Sequence, residues 1–302
     1  MLKVGVQSAP LLDNGIDEGF KLIHEAGFDC IDFNIDVFLP GGKIIRGELD
    51  SIYDQSDDEI REFFRPYKEA AEKYGVSFYQ AHAPFPSWVK DQPVTNEHMI
   101  QVLEKCIMVC EYLNCGYLIV HPFFASYDGT LEAQEEWDLN IRQYGSLIPA
   151  CKKHHVTVCL ENMFTGRHGK VYAAICQNPD EACRYIDTLN EMAGEKCFAF
   201  CLDTGHALLV GNEIYGVVKK LGHRIECLHI HDNDGRDDLH LAPYMGLLHW
   251  DRFVQGLRDV GYQGALCFET FHAVDVFDKE LTPEVLRLIF ATGRMFVRRI
   301  CG

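Results

Sequence analysis

The stretch FAFCLDTGH, residues 198–206, decides how the rest of the chain is read. An apolar run ends on Asp203, and His206 follows shortly after. A single ending of this kind is what a solvated strand terminus or a helix N-cap would give. The pattern recurs, however. CLENM runs to Glu161, CLHIHD to His229 and CFETF to Glu269, each with a cysteine two residues earlier. Side chains two apart on a strand share a face. Cys159, Cys201, Cys227 and Cys267 are therefore expected one step below Glu161, Asp203, His229 and Glu269, on one side of a common sheet.

Further strands are expected on either side of this stretch. The full set is Lys3–Gln7, Phe28–Asn34, Ser77–His82, Tyr117–His121, Thr157–Glu161, Phe198–Asp203, Glu226–His231 and Ala265–Glu269. Between them lie helix-like stretches at Asp17–Ala26, Asp58–Tyr74, Glu97–Leu113, Glu132–His154, Pro179–Leu189, Trp250–Val260 and Thr282–Arg299. In Glu97–Leu113 the apolar positions Met99, Val102, Leu103, Cys106, Ile107 and Cys110 have helical spacing. Gly27, Gly75, Gly116 and Gly261 stand at helix-to-strand joints, where glycine supplies a left-handed cap. Eight strands alternating with helices predict a parallel (β/α)8 TIM barrel, one domain over residues 1–302. A doubly wound open sheet is the alternative. No G-x-G-x-x-G follows the first strand, so no nucleotide cofactor is expected.

Composition narrows the function classes. The chain has 302 residues, 47% of them hydrophobic, and a formal net charge of −17. Nucleic-acid affinity rests largely on Lys and Arg contacts to phosphate, so this charge argues against a nucleic-acid partner. No apolar stretch is long enough to cross a membrane. The opening MLKVGVQSAP does not resemble a secretory leader. The 13 cysteines form no C-x-x-C pair. Free buried thiols in a reducing compartment are expected, and with them a cytoplasmic location.

At the C-terminal ends of barrel strands, two Glu, one Asp and one His would converge on one mouth. Three crowded carboxylates repel, and burying them unpaired is costly. One divalent ion removes both problems, and oxygen ligands with one imidazole suit Mn²⁺, Mg²⁺, Co²⁺ or Zn²⁺. The cysteines beneath are read as small apolar packing rather than as a four-thiolate site.

These residues also carry a resemblance. AHAPF (81–85), VHPF (120–123), LEN (160–162), LDTGH (202–206), HIHD (229–232), DLH (238–240), GLLHW (246–250) and GYQGALCFET (261–270) occur in an order that resembles the xylose isomerase-like TIM barrels. That group holds sugar isomerases and epimerases together with class II apurinic endonucleases. The resemblance implies Glu161, Asp203, His229 and Glu269 as ligands of one divalent metal, with His231 the second choice for the imidazole. It also implies that His206 contacts substrate. The endonuclease branch binds three metals, and its further ligands map to His82, His121, His206, Asp238 and His240. The preferred reading gives His82 and His121 to substrate hydroxyls and has Asp238 and His240 pin the loop after the seventh strand, with a possible second metal site at Asp238 and His240 as the alternative. His231 and Arg236 complete the expected substrate-binding set.

The function expected is a metal-dependent isomerase or epimerase of a sugar, sugar phosphate or related polyol ketone. It would act through an enediolate, with Glu161 and Glu269 as the acid and base. The alternatives are a lyase or dehydratase on a similar substrate, either inosose dehydratase-like or C-glycoside-cleaving, and an endonuclease-like phosphodiesterase. Phe85, Trp88, Phe123 and Phe124 are candidate aromatic faces for a sugar. Arg167, His168 and Lys170, with Arg236, are candidates for holding an anionic group. The long connection Asp36–Ser56 is expected to act as a lid or to pair subunits in a homo-oligomer.

Overall fold

A computed structural model describes residues 2–8, 12, 14–125 and 133–302. Its strands, in chain order, are β1 (Val4–Gln7), β2 (Cys30–Asn34), β3 (Ser77–His82), β4 (Tyr117–Ile119), β5 (Thr157–Glu161), β6 (Phe164–Arg167), β7 (Lys170–Ala173), β8 (Phe198–Asp203), β9 (Ile225–His229) and β10 (Leu266–Phe268). Eight of them pair in parallel in the order β10-β1-β2-β3-β4-β5-β8-β9. A parallel bridge between Ile230 and Phe268 brings the two ends together. There the Ile230 N–H donates to Cys267 O at 2.9 Å and the Glu269 N–H to Ile230 O at 3.1 Å. The expected (β/α)8 barrel is therefore the architecture, and the open sheet is not.

The helices follow the apolar spacing that predicted them. Ser56 and Glu59 form a capping box that starts Asp57–Tyr74, and Gly75 ends it in the left-handed conformation. Pro93–Tyr112 buries Met99, Val102, Leu103, Cys106, Ile107 and Cys110. Gly27 and Gly261 also have positive φ, but at the third joint Asn114 takes the left-handed position and Gly116 does not. Asparagine tolerates that conformation, so the cap sits two residues earlier than expected. The expected helix Glu132–His154 is two helices, Ala133–Ser146 and Ile148–His154, the second with Pro149 in its first turn. Glu132 itself lies outside the described residues.

The connection Asp36–Ser56 is packed rather than extended. It contains the helix Gly41–Arg46. Leu39, Ile44 and Tyr53 are buried, and the Tyr53 hydroxyl donates to Ile35 O at 2.7 Å. Further elements were not expected, among them the helices Thr204–Leu209, Ile214–Leu221 and Phe271–Asp275, and the β6–β7 hairpin.

Inside the barrel, the side chains below the strand ends are small. Cys159, Cys201 and Cys227 pack with Ile119 and Ala199, while Cys267 packs with Cys30 and Ala265. This division into two groups is what staggered strands feeding different layers produce. Burial pushes the thiols of Cys201, Cys227 and Cys267 well above their ordinary range, so they pack as neutral groups. At the opposite end of the barrel, the hydroxyls of Tyr79, Tyr117 and Tyr262 meet Glu226 at 3.1, 3.0 and 3.2 Å and form the floor.

Candidate active site

The four strand-end residues converge. β8 and β9 are in register at Asp203 and His229, and Glu161 is in register with Cys201. His229 Nδ1 lies 3.2 Å from Glu161 Oε1, 3.6 Å from Glu269 Oε2 and 3.9 Å from Asp203 Oδ2. All four residues are buried. Candidate ligand atoms of Asp203, His229 and Glu269 lie within 4.8 Å of one another, as do those of Glu161, Cys201 and His229.

Asp203 serves two neighbours. Its Oδ1 accepts the His206 N–H at 2.7 Å and caps the helix Thr204–Leu209. The N-cap reading of this acid is therefore correct, and it does not compete with the site reading. Asn162 locks the end of β8 to β5: its Oδ1 accepts the Asp203 N–H at 2.8 Å and its amide donates to Asp203 O at 2.9 Å.

A second group of imidazoles surrounds Asp238. Its Oδ2 is 3.1 Å from His240 Nε2 and 3.4 Å from His206 Nε2, and its Oδ1 is 3.8 Å from His231 Nε2. His231 is fully buried, with Nε2 3.0 Å from Asp203, and its ring stacks on His240 at 4.1 Å. That position gives His231 a contact to Asp203 but none to Glu161, so the imidazole that faces all three acids is His229. Gly205 is required here, because a Cβ would come within 2.0 Å of His231 Cε1. A third group lies beside Glu161. His121 Nε2 is 3.1 Å from Glu161 Oε2, and His82 Nε2 is 2.9 Å from His121 Nε2.

The electrostatics follow this crowding. Burial disfavours the charged form of every group. At His206 the acids Asp203, Asp238 and Glu161 outweigh burial and push the ring up to about 10. His240 is pushed up to about 9 by Glu269, Asp238 and Asp203 in the same way. At His121 burial wins, and the ring falls to about 4. His229 is held well above its ordinary range despite burial, by Glu269, Glu161 and the Asp32 contact. Burial raises Glu269, whereas His229 and His121 hold Glu161 well below the usual carboxylate range.

Not every expected residue joins the cluster. Arg236 is exposed; its main-chain N–H donates to Asp234. Arg167, His168 and Lys170 sit at the β6–β7 turn, with the Arg167 guanidinium over the Tyr172 ring at 5.1 Å. Phe123 and Phe124 are buried, the Phe123 ring 5.0 Å from Tyr144 and the Phe124 ring 6.4 Å from Phe85. Trp88 lines a separate surface cleft with Ile100 and Arg142. Phe85 does stand at the mouth, 4.6 Å from the His121 ring. Phe164 and Phe271, not expected from sequence, abut His206 and His240 at 4.9 and 5.2 Å.

Sequence reasoning also missed Asp32 and Gln80. Asp32 Oδ2 accepts from His229 Nε2 at 2.9 Å and from Gln80 Nε2 at 2.9 Å. The only signal was a carboxylate at an otherwise apolar strand position. The acid of HIHD has a separate task. Asp232 accepts the Asn233 and Leu248 N–H groups, each at 3.0 Å, and the Trp250 indole N–H at 2.9 Å. That fixes the returning loop and accounts for GLLHW.

Comparison with known proteins agrees with this architecture. Residues 20–290 match the family described as Xylose isomerase-like TIM barrel. An uncharacterized protein of Methanocaldococcus jannaschii is 26% identical over 230 residues, covering 73% of this chain and 74% of that protein. Among solved structures, a D-tagatose 3-epimerase-like protein superimposes with a TM-score of 0.69 at 20% identity, covering 96% of this chain and 99% of the other. The 3-keto-D-glucoside 4-epimerase from E. coli gives 0.71 at 15% identity, covering 96% and 100%. At these identities the structural likeness is one of fold.

Proposed function

Because the chain belongs to the xylose isomerase-like TIM barrel family, we propose that its barrel mouth is the active site of a divalent-metal-dependent isomerase or epimerase acting on a sugar or related polyol ketone. The observation that carries this reading is the convergence of Glu161, Asp203 and Glu269 on His229 Nδ1. The two solved structures compared above bear sugar-epimerase names, which supports the choice of substrate class.

The donor set fits a metal. Three buried carboxylates facing one ring nitrogen make an oxygen-rich set with one imidazole, suited to Mn²⁺, Mg²⁺, Co²⁺ or Zn²⁺. Glu161, Asp203, His229 and Glu269 would hold the ion. When bound, it would draw charge from a carbonyl and a neighbouring hydroxyl oxygen of the substrate. Glu161 and Glu269 stand on non-adjacent strands, β5 and the end of β10. One takes a proton from the carbon beside the carbonyl, and the other delivers a proton to the resulting enediolate. Delivery to the neighbouring carbon isomerises the sugar, and delivery to the opposite face epimerises it. His82, His121 and His206, with Phe85 and Phe164 beside them, border the space where hydroxyls would be held.

The test is deuterium uptake from heavy water into a panel of ketoses and inositol derivatives, using protein supplied with Mn²⁺. Uptake at the carbon beside the carbonyl is expected. Glu161→Gln and Glu269→Gln should each abolish it while circular dichroism stays unchanged. A fully active variant would remove that glutamate from the mechanism.

A second reading has its own observation. His206 and His240 face Asp238, whose Oδ1 is buried without a hydrogen-bond donor, while His82 and His121 adjoin Glu161. These groups could hold further ions and serve metal-assisted phosphodiester cleavage. The loop around them, DNDGRDDLH, is acidic, and the whole chain carries −17, which disfavours a DNA substrate. Cleavage of an abasic-site duplex in added Zn²⁺ would select this reading. Metal analysis giving more than one ion per chain would support the second site.

A further inference from the structure

Asp32 stands on β2, apart from the strands that carry the acids facing His229, and no motif pointed to it. β2 and β9 are not neighbours in the sheet, yet the Asp32 carboxylate reaches across the interior to His229 Nε2 at 2.9 Å. It is 1% exposed. Gln80 on β3, in register with Asp32, braces the same oxygen at 2.9 Å and donates to Leu228 O on β9 at 3.2 Å. The imidazole is thus gripped at one nitrogen, while the other faces Glu161, Glu269 and Asp203.

An imidazole can offer a lone pair at only one nitrogen while its other nitrogen keeps the proton. A carboxylate beside Nε2 accepts a proton and cannot donate one, so it stabilises the ring with hydrogen on Nε2 and the lone pair on Nδ1. Turning the ring over would put carbon against Asp32 and carbon against the acids. Both ring orientation and tautomer are therefore specified by one contact. We propose that Asp32, braced by Gln80, is the positioning residue that presents His229 Nδ1 as the metal-binding nitrogen. This rests on the metal-dependent reading above and extends it to a residue that touches neither metal nor substrate. Outer partners of this kind typically carry about 10–100-fold in metal affinity.

Two measurements test it. In Mn²⁺ titrations read by the electron paramagnetic resonance of free ion, Asp32→Leu should bind about 10–100-fold more weakly than the wild-type chain. Asp32→Asn keeps an acceptor oxygen and should recover part of that loss. A folded Asp32→Leu protein with wild-type Mn²⁺ affinity would overturn the inference, even if its melting temperature fell, because a merely structural Asp32 would behave that way. The second measurement does not depend on an Asp32 variant folding. In ¹⁵N-histidine spectra of wild-type protein loaded with diamagnetic Zn²⁺, the His229 signals, identified by their loss in His229→Gln, should report a proton on Nε2 and metal on Nδ1. The reverse assignment would overturn the inference and leave the metal site standing. If the wild-type chain binds neither ion, the metal-dependent reading falls and takes the inference with it.

Discussion

At the scale of single residues, the chain uses its buried acids for different ends, and the pattern of partners separates them. Glu161, Asp203 and Glu269 look toward an imidazole nitrogen, whereas Asp232 is filled by three N–H donors and holds a loop. Trp250→Phe would leave one buried carboxylate oxygen of Asp232 without its donor and lose part of the stack on Phe296, whose ring is 5.5 Å away. The expected cost is about 2–4 kcal/mol, read as a shift in the urea midpoint, with Glu161, Asp203, His229 and Glu269 untouched. Glu161, Asp203, His229 and Glu269 were legible in the sequence because each ends an apolar run. Asp32 was not, because its meaning depends on His229, a partner 197 residues away in the chain. His231 was only half legible for a related reason: alternation puts it on the same face as His229, but only coordinates reveal that its Nε2 lies 3.0 Å from Asp203.

At the scale of elements, period-2 and helical spacing located every barrel strand and the main helices, while short or capped pieces escaped. The β6–β7 hairpin turns through His168 and Gly169, both at positive φ. Asn-Gly at those positions would have announced the turn; histidine in the first place concealed it. The helix Thr204–Leu209 is too brief for periodicity to register. The last helix, Thr282–Cys301, carries a test of packing. A Cβ at Gly293 would come within 2.5 Å of Val4 Cγ1 and 2.8 Å of Phe268 Cε2. In an exposed helix, Gly→Ala stabilises by about 1 kcal/mol. Here Gly293→Ala should destabilise instead, by about 1–2 kcal/mol net, because overpacking outweighs propensity. A raised melting temperature would show that the helix can shift outward without loss.

For the molecule as a whole, the clustered imidazoles should make the metal-free protein sensitive to pH on both sides of neutrality. Folding raises His206 and His240 above the ordinary histidine value of about 6.5, to about 10 and about 9. The stabilisation they supply is fully present below about 6.5 and is lost as pH rises through the folded values. Folding lowers His121 to about 4, so its contribution is present above about 6.5 and lost as pH falls toward 4. Thermal melts of chelator-treated protein should therefore peak near neutral pH and decline by pH 9–10 and by pH 4–5. A flat profile from pH 7 to 10 would contradict the protonated cluster. The barrel itself also has a weak seam. Every other adjacent strand pair shares at least three register positions, but β9 and β10 meet at one bridge. His229 and Glu269 stand on the two lips of that seam, so an ion gripped by both would rivet the cylinder shut. Amide hydrogen exchange at Ile230 and Glu269 should then slow when Mn²⁺ is added, which would make cofactor loading the last stitch in folding as well as the first step of catalysis.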